Sequence, residues 1–455
     1  MFKFTTIVLL LASFFIIISC GGDNNDDNND NPGNTESRVL WKYKLKNETN
    51  NFKNIPAIDE NGNLYFATNE DIDFGKNGKF TVVSIDKNGK FRWEKVIENT
   101  RGYEKIAYKD NKVFFIIGTY MTLEEAEGGT LPPATTYALD ANNGNEIWKT
   151  EVKDWLFTWP AFAVGNDRIY VYINNADLAN TISKITAYDI NNGDNKGEII
   201  INSETARTGA PLLRAITAVK DNIFAIITKG QGEVNIIQII DSGNTLTNGW
   251  SFEAAGFYSG ELKNVPYIYD LPIDDNGNIY FNLYQQKEND NKTAVVSVSK
   301  TGEFNWIHEI PTPRISLTES VTINKDGNLY LSVLSKLYLI SSTGTSLWDI
   351  DGTYYDDYEI LNADYQKPPT IAENENTYHH NSYGLVSVKS DGKINWKHLN
   401  ENDNIQGADY STLMPDGSII VMGTKEIICF KGDDTKLATT NWPKIYGNNG
   451  NTSSK

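Results

Sequence analysis

Residues 137–148 read YALDANNGNEIW. An alternating run ends in an Asn-Asn-Gly cluster, and a second short run ends on Trp148. Asn-Gly supplies the positive φ of a tight hairpin, so the stretch predicts two antiparallel strands joined by a short turn, with an indole on the second. The same figure returns as IDKNGKFRW ending at Trp93, IDSGNTLTNGW at Trp250, VSKTGEFNW at Trp306, ISSTGTSLW at Trp348 and VKSDGKINW at Trp396. YDINNGDNKGEI, around Ile199, fits the same place without its tryptophan, and Trp41 in VLWKYKL has the tryptophan without its turn. The spacings are 52, 55, 102 across the degenerate copy, 56, 42 and 48. A period of about fifty indicates a propeller or a solenoid.

The rest of each period is equally regular. A short strand often starts near a proline (Pro56, Pro160, Pro211, Pro369). A turn and second strand follow, as in IDENGNLYFAT, IDDNGNIYFNL and INKDGNLYLSV, and then a third strand, as in TVVSID, TYALD and AVVSVS. Four short alternating strands per period is the make-up of a propeller blade, and the 3.6-residue period of a helical solenoid is absent. Tryptophan-type strands at 41, 93, 148, about 199, 250, 306, 348 and 396 predict an all-β, eight-bladed β-propeller of four-stranded antiparallel blades. Seven blades result instead if the copy near 199 is absorbed differently. The final period ends in Ile427–Lys431 and its next segment, GDDTKLATTNW, lacks the usual turn. The strand Val39–Leu45 has no blade of its own. It is expected to pair with 427–431 and close the ring, which removes an open edge and makes Cys429 a buried small hydrophobe. The expected organisation is 1–19 leader, 20–37 tether, 38–442 propeller and 443–455 tail.

Composition bounds the function. The 455 residues hold 41 Lys+Arg against 59 Asp+Glu, a net charge of −18, which disfavours phosphate backbones as partners and so nucleic acid. Hydrophobic content of 40% with 12% aromatic supports a real core. Two cysteines, Cys20 and Cys429, provide no disulfide framework and no cysteine-based metal cluster. Lys3 followed by the apolar run Ile7–Ile18 has the build of an export leader, too short to span a membrane comfortably. It ends in Ile17-Ile18-Ser19-Cys20, which resembles a bacterial lipobox and implies diacylation of Cys20, an anchor of several chains. Residues 21–36, GGDNNDDNNDNPGNTE, carry no large apolar side chain and read as an acidic tether. An acidic run at this place resembles the surface-export signals of Bacteroidota lipoproteins.

The repeats, Tyr137–Trp148 above all, resemble the PQQ-like β-propeller repeat. That family includes quinoprotein alcohol dehydrogenases and BamB-type outer-membrane assembly lipoproteins, and the resemblance covers residues 38–442. The C-terminal KGDDTKLATTNWPKIYGNNGNTSSK also resembles the tail of PQQ-like lipoproteins from Bacteroidota. The resemblance implies an outer-membrane lipoprotein facing the periplasm or the cell surface, with the membrane as one partner. The quinoprotein enzymes pack a vicinal cysteine disulfide on the quinone and bind calcium with acidic and amide ligands. This chain has no adjacent cysteines and no residue-by-residue match to those ligands, so neither PQQ nor calcium is expected as a cofactor.

No other catalytic set emerges. His379 and His380 are strand neighbours and point to opposite faces; His308 and His398 stand apart. There is no G-x-S-x-G elbow, P-loop or H-E-x-x-H. Asp59-Glu60-Asn61-Gly62-Asn63 and Asp274-Asp275-Asn276-Gly277-Asn278 could ligate calcium, but hairpin turns demand the same residues. Catalytic and metal-binding residues are therefore expected to be absent. The connections from each tryptophan strand to the next blade and the second-to-third-strand hairpins are expected on one face, the long ones at 119–135, 251–265, 284–293 and 349–368, and aromatics of that face form the candidate binding face: Trp155, Phe257, Tyr258, Tyr354, Tyr355 and Tyr358. Flat amphipathic rings suit protein contacts and sugar stacking. The expected role is a non-catalytic envelope lipoprotein, a scaffold for protein–protein contacts or glycan binding. The alternative is an enzyme, either a PQQ-dependent dehydrogenase or a polysaccharide-acting propeller.

Overall fold

A computed structural model describes residues 38–45, 50–70, 78–102, 105–118, 134–152, 162–174, 183–201, 212–229, 233–254, 271–285, 291–312, 317–318, 320–333, 336–351, 365–366, 368–381, 384–399, 410–423, 425–439, 442–444 and 446–454. They form an eight-bladed β-propeller with no helix. Blade 1 comprises Asn50–Ile58, Leu64–Glu70, Gly78–Ile85 and Phe91–Gly102, from the axis outward, and blade 2 comprises Ala107–Lys109, Lys112–Gly118, Ala134–Asp140 and Glu146–Val152. Blades 3, 4, 6 and 7 repeat the order within 162–201, 212–253, 322–351 and 370–399. In blade 5 the innermost strand shrinks to one bridge, Ile273 with Ile279. Blade 8 takes Tyr410–Leu413, Ile419–Met422 and Glu426–Phe430 from the chain's end and Val39–Lys44 from its beginning. The closing register pairs Trp41 with Cys429 and Lys44 with Glu426, as the sequence predicts. Burial pushes the Cys429 thiol up to about 12, so it stays protonated inside the strand.

The recurring tryptophan is the joint between blades. Six of the outermost-strand indoles donate Nε1–H to a backbone carbonyl in the third-to-fourth-strand turn of the next blade. The pairs are Trp41 to Lys87, Trp93 to Ala141, Trp148 to Ile190, Trp250 to Lys300, Trp306 to Ser342 and Trp348 to Ser390, at 2.9–3.2 Å. A turn glycine is required because the ring lies flat on it. A Cβ on Gly144 would sit 2.6 Å from Cε3 of Trp93, and its φ of +73° is already in the left-handed region. Apolar clusters continue each joint inward. Between blades 4 and 5 the buried Phe224, Ile226, Ile236 and Phe252 meet Leu271, Phe281 and Val296.

The degenerate copy is shifted from its expected place. Ala187 pairs with Gly197, and a bulge follows at once. In blades 1, 2, 5, 6 and 7 the residue at that register is the tryptophan. Gly197, and not residue 199, is therefore the counterpart. Without a side chain there, the turn of blade 4 packs on the backbone itself, with the Asn244 carbonyl 3.2 Å from where a Cβ would be. A charged joint accompanies it. Asp241 of that turn accepts Arg168 Nη1 at 3.0 Å and the Tyr170 hydroxyl at 2.9 Å.

These joints yield a paired expectation. Gly144→Ala incurs both an indole clash and a backbone cost and destabilises by about 2–4 kcal/mol. Gly243 has a φ of +98°, but a methyl added there would meet no atom within 4 Å, so Gly243→Ala incurs only the backbone cost of about 1 kcal/mol. Urea melts of the two variants separate them; equal midpoints would count against the indole seat.

Candidate functional site

Antiparallel alternation divides the disc into two ends. The first-to-second and third-to-fourth turns of each blade lie at one end. The second-to-third and blade-to-blade connections leave from the other. The turn end is built from hairpin chemistry. Asp59 Oδ1 accepts the amides of Asn61 and Asn63 at 2.9 and 2.8 Å, while Oδ2 accepts Asn63 Nδ2 at 2.8 Å and the Tyr65 hydroxyl at 2.9 Å. Asp274 repeats the set with Asn276, Asn278 and Tyr280 at the same distances. Burial, reinforced by the carboxylate, raises the Tyr65 and Tyr280 phenols above their ordinary range. Asp59 and Asp274 thus spend their oxygens on their own hairpins, as Asx chemistry requires, while Glu60 Oε2 accepts the Tyr108 hydroxyl of blade 2 at 2.9 Å.

The mouth of the central channel at this end holds the chain's own C-terminal segment. From blade 8 it passes blade 7, where Glu373 N–H donates to the Lys436 carbonyl at 2.9 Å and Ala438 N–H to Ile371 at 3.0 Å. Trp442 then enters blade 6 and is completely buried. Residues 446–454 curl along the inner wall of blades 1 to 4. Lys105, buried at the start of blade 2, donates to the Phe162 carbonyl at 2.7 Å and to Ser453 Oγ at 2.6 Å. Its ammonium also stands 4.7 Å from the ring centroids of both Phe162 and Tyr446. Residues 443–455, read from the sequence as a tail following the propeller, thus include a stretch built into its axis. Nothing in the sequence pointed to the roles of Lys105 and Asn451, because the segment has no period; its marks were Trp442, with no turn before it, and the resemblance of residues 431–455 to a lipoprotein tail.

At the connection end, backbone pairing braces neighbouring connections. Leu317–Thr318 runs parallel to Tyr365–Gln366, and the outermost strand of blade 1 reaches across to blade 2 through Arg101 with Gly118. The candidate aromatics Trp155, Phe257, Tyr258, Tyr354, Tyr355 and Tyr358 lie outside the described residues, as does Cys20. The histidines are separated in function as well as in place. His308 Nδ1 is 2.9 Å from the Gly344 carbonyl at a blade joint, His379 Nε2 is 3.1 Å from Thr377 Oγ1, and His398 packs edge-on against Phe430. Among the described residues no three His, Cys, Asp or Glu side chains are placed to share a metal ion. The chain's two cysteines are not adjacent in sequence, and Cys429 is enclosed in the third strand of blade 8.

A family model described as outer membrane protein assembly factor BamB matches residues 34–307. No curated protein matches the chain. Among solved structures, the quinohemoprotein alcohol dehydrogenase of Comamonas testosteroni is similar with a TM-score of 0.54, 11% identity, and coverage of 88% of this chain and 77% of that one. The quinohemoprotein alcohol dehydrogenase ADHIIG of Pseudomonas putida HK5 gives 0.51 with 11% identity and the same coverages. The Dos1 propeller gives 0.52 with 8% identity, covering 88% of this chain and 98% of that one. At such identities the structures speak for the fold alone.

Proposed function

The chain belongs to the BamB family of outer membrane protein assembly factors, and from that premise we propose that it is a lipid-anchored, non-catalytic docking disc of the bacterial envelope. The observation that carries this reading is the closed turn end. The chain's own C-terminal segment fills that mouth of the channel, so a partner is left the opposite end, where the long connections emerge. Functional contacts on loops above a rigid scaffold follow the general rule. The partner class is a protein of the outer-membrane assembly apparatus, with the aromatic connections as its seat. The lipobox cysteine Cys20 and the acidic stretch 21–36 supply the anchor and the reach.

Two measurements test the reading. Cys20→Ala should move the protein from the membrane fraction to the soluble fraction, and unchanged sedimentation with membranes would sink the anchor. Cross-linked, affinity-purified protein from detergent-solubilised outer membranes should bring barrel-assembly subunits with it. Recovery of polysaccharide alone would replace the protein partner with a glycan. Dye reduction by the purified protein after reconstitution with PQQ and calcium would overturn the non-catalytic role.

A further inference from the structure

The C-terminal segment meets its own ring as a bound peptide meets a receptor. Six innermost strands each aim one backbone N–H at a carbonyl of the segment. Blades 1 to 4 donate from Ile58 to Asn449 (2.7 Å), Tyr108 to Gly450 (2.7 Å), Val164 to Thr452 (2.8 Å) and Ala218 to Ser453 (3.0 Å). Blades 6 and 7 donate from Ile323 to Trp442 (2.7 Å) and from Ile371 to Pro443 (2.8 Å). Ring geometry sets up these donors. The innermost strand of a blade has no strand on its axial side, so its inward amides need acceptors from elsewhere. Because they are backbone groups of the blades, they exist whatever chain supplies the carbonyls.

Serving one blade per residue or two forces the segment into a tight curl. Tyr446, Asn451 and Ser453 take φ of +63°, +52° and +48°, and Gly447 takes +83°. Non-glycine residues hold such angles only where the surroundings over-determine them. The determinants are side chains with exclusive seats. Trp442 is fully enclosed beside Tyr280, Ile323 and Leu331. Asn451 donates Nδ2–H to the carbonyls of Ile55 at 3.0 Å and Ile106 at 3.3 Å, bridging blades 1 and 2, while its Oδ1 accepts Lys444 Nζ. Lys105 clamps Ser453 from the wall.

We infer that the turn-end mouth is a peptide-recognition site whose resident ligand, filled in cis, is the segment Trp442–Ser454, read through the indole of Trp442 and the carboxamide of Asn451. The inference starts from the same filled mouth as the docking role but requires no partner at the opposite end. A peptide of the same sequence offered in trans competes poorly with the tethered copy, whose effective concentration is in the millimolar range, but it occupies the site once the tethered copy is weakened.

The test uses the full mature chain carrying Trp442→Ala and Asn451→Ala, and a fluorescent synthetic peptide of residues 437–455. The variant is expected to bind the peptide at least about tenfold more tightly than the unaltered chain does, as vacating a filled site requires. A peptide bearing the same two substitutions is expected not to bind. Equal binding by both chains, or no binding by the variant, overturns the inference. Should the variant not fold, carboxypeptidase digestion of the unaltered chain decides. Residues back to Asn451 are expected to be released about 100-fold more slowly than from the free peptide, since release must await local opening. Release at the free-peptide rate, with the melting curve unchanged, overturns it.

Discussion

A chain lacking residues 38–46 melts roughly 5–10 °C below the intact one, whereas excision of 21–36, which precede the unit Arg38–Lys455, shifts the transition by about 1 °C or less. The closing strand has three separate attachments. Its ladder to Glu426–Phe430 spans Val39 to Lys44. Trp41 donates to Lys87 at 3.0 Å and so couples blade 8 to blade 1. Arg38 lies 3.9 Å above the ring of Trp396 in blade 7, and its carbonyl accepts Lys431 N–H at 2.7 Å. Losing the half-buried indole alone costs about 1–3 kcal/mol, and each ladder bond adds about 1 kcal/mol. The excision also leaves the strand of Cys429 as an open edge, an invitation to association. Calorimetry on the two deletions checks this. Equal melting temperatures would refute the closing role of Val39–Lys44.

The joints were readable because the same requirement recurs from junction to junction. A ring needs a flat apolar contact between neighbouring blades, so indole and turn glycine recur at a period that survives drift in everything else. The closing strand was readable for the same reason, since Trp41 is a joint whose blade lies elsewhere in the chain. What left no periodic mark stayed hidden. At blade 3 the tryptophan is replaced by Gly197, and a glycine gives no signal of which register it holds; only the pairing with Ala187 places it. The C-terminal segment accepts backbone bonds from six blades, but a carbonyl-to-amide bond is one that any sequence can make. Its selective residues, Trp442 and Asn451, occur once each. The candidate aromatics of the connections rest on composition, which says where rings are plentiful, not how they are arranged.

The last joint is the place where a side chain replaces a turn, and Asp433→Ala should expose how much rests on it, by about 3–5 kcal/mol. The segment after Phe430 does not form the usual Asn-Gly hairpin, so Trp396 finds no carbonyl like those of Lys87 or Ala141. Its Nε1–H is taken by Asp433 Oδ1 instead. The other oxygen accepts the Tyr378 hydroxyl, Ser387 Oγ and Asn395 Nδ2 at 3.0 Å each, and Asn376 Nδ2 at 3.3 Å. All five donors belong to blade 7, so one carboxylate fastens blade 7 to blade 8. Burial, with Asp433 adding to it, raises the Tyr378 phenol, which therefore stays a donor. Alanine leaves these donors facing a gap, and a buried donor without its acceptor costs about 1–3 kcal/mol. Asparagine keeps the shape but turns an amide toward the donors, and should fall between the two. Urea melts followed by tryptophan fluorescence, with the exposed Glu303→Ala as control, measure the order Ala, Asn, unaltered. If Asp433→Ala melts with the control, the carboxylate is a bystander and blade 7 is held by its apolar face alone.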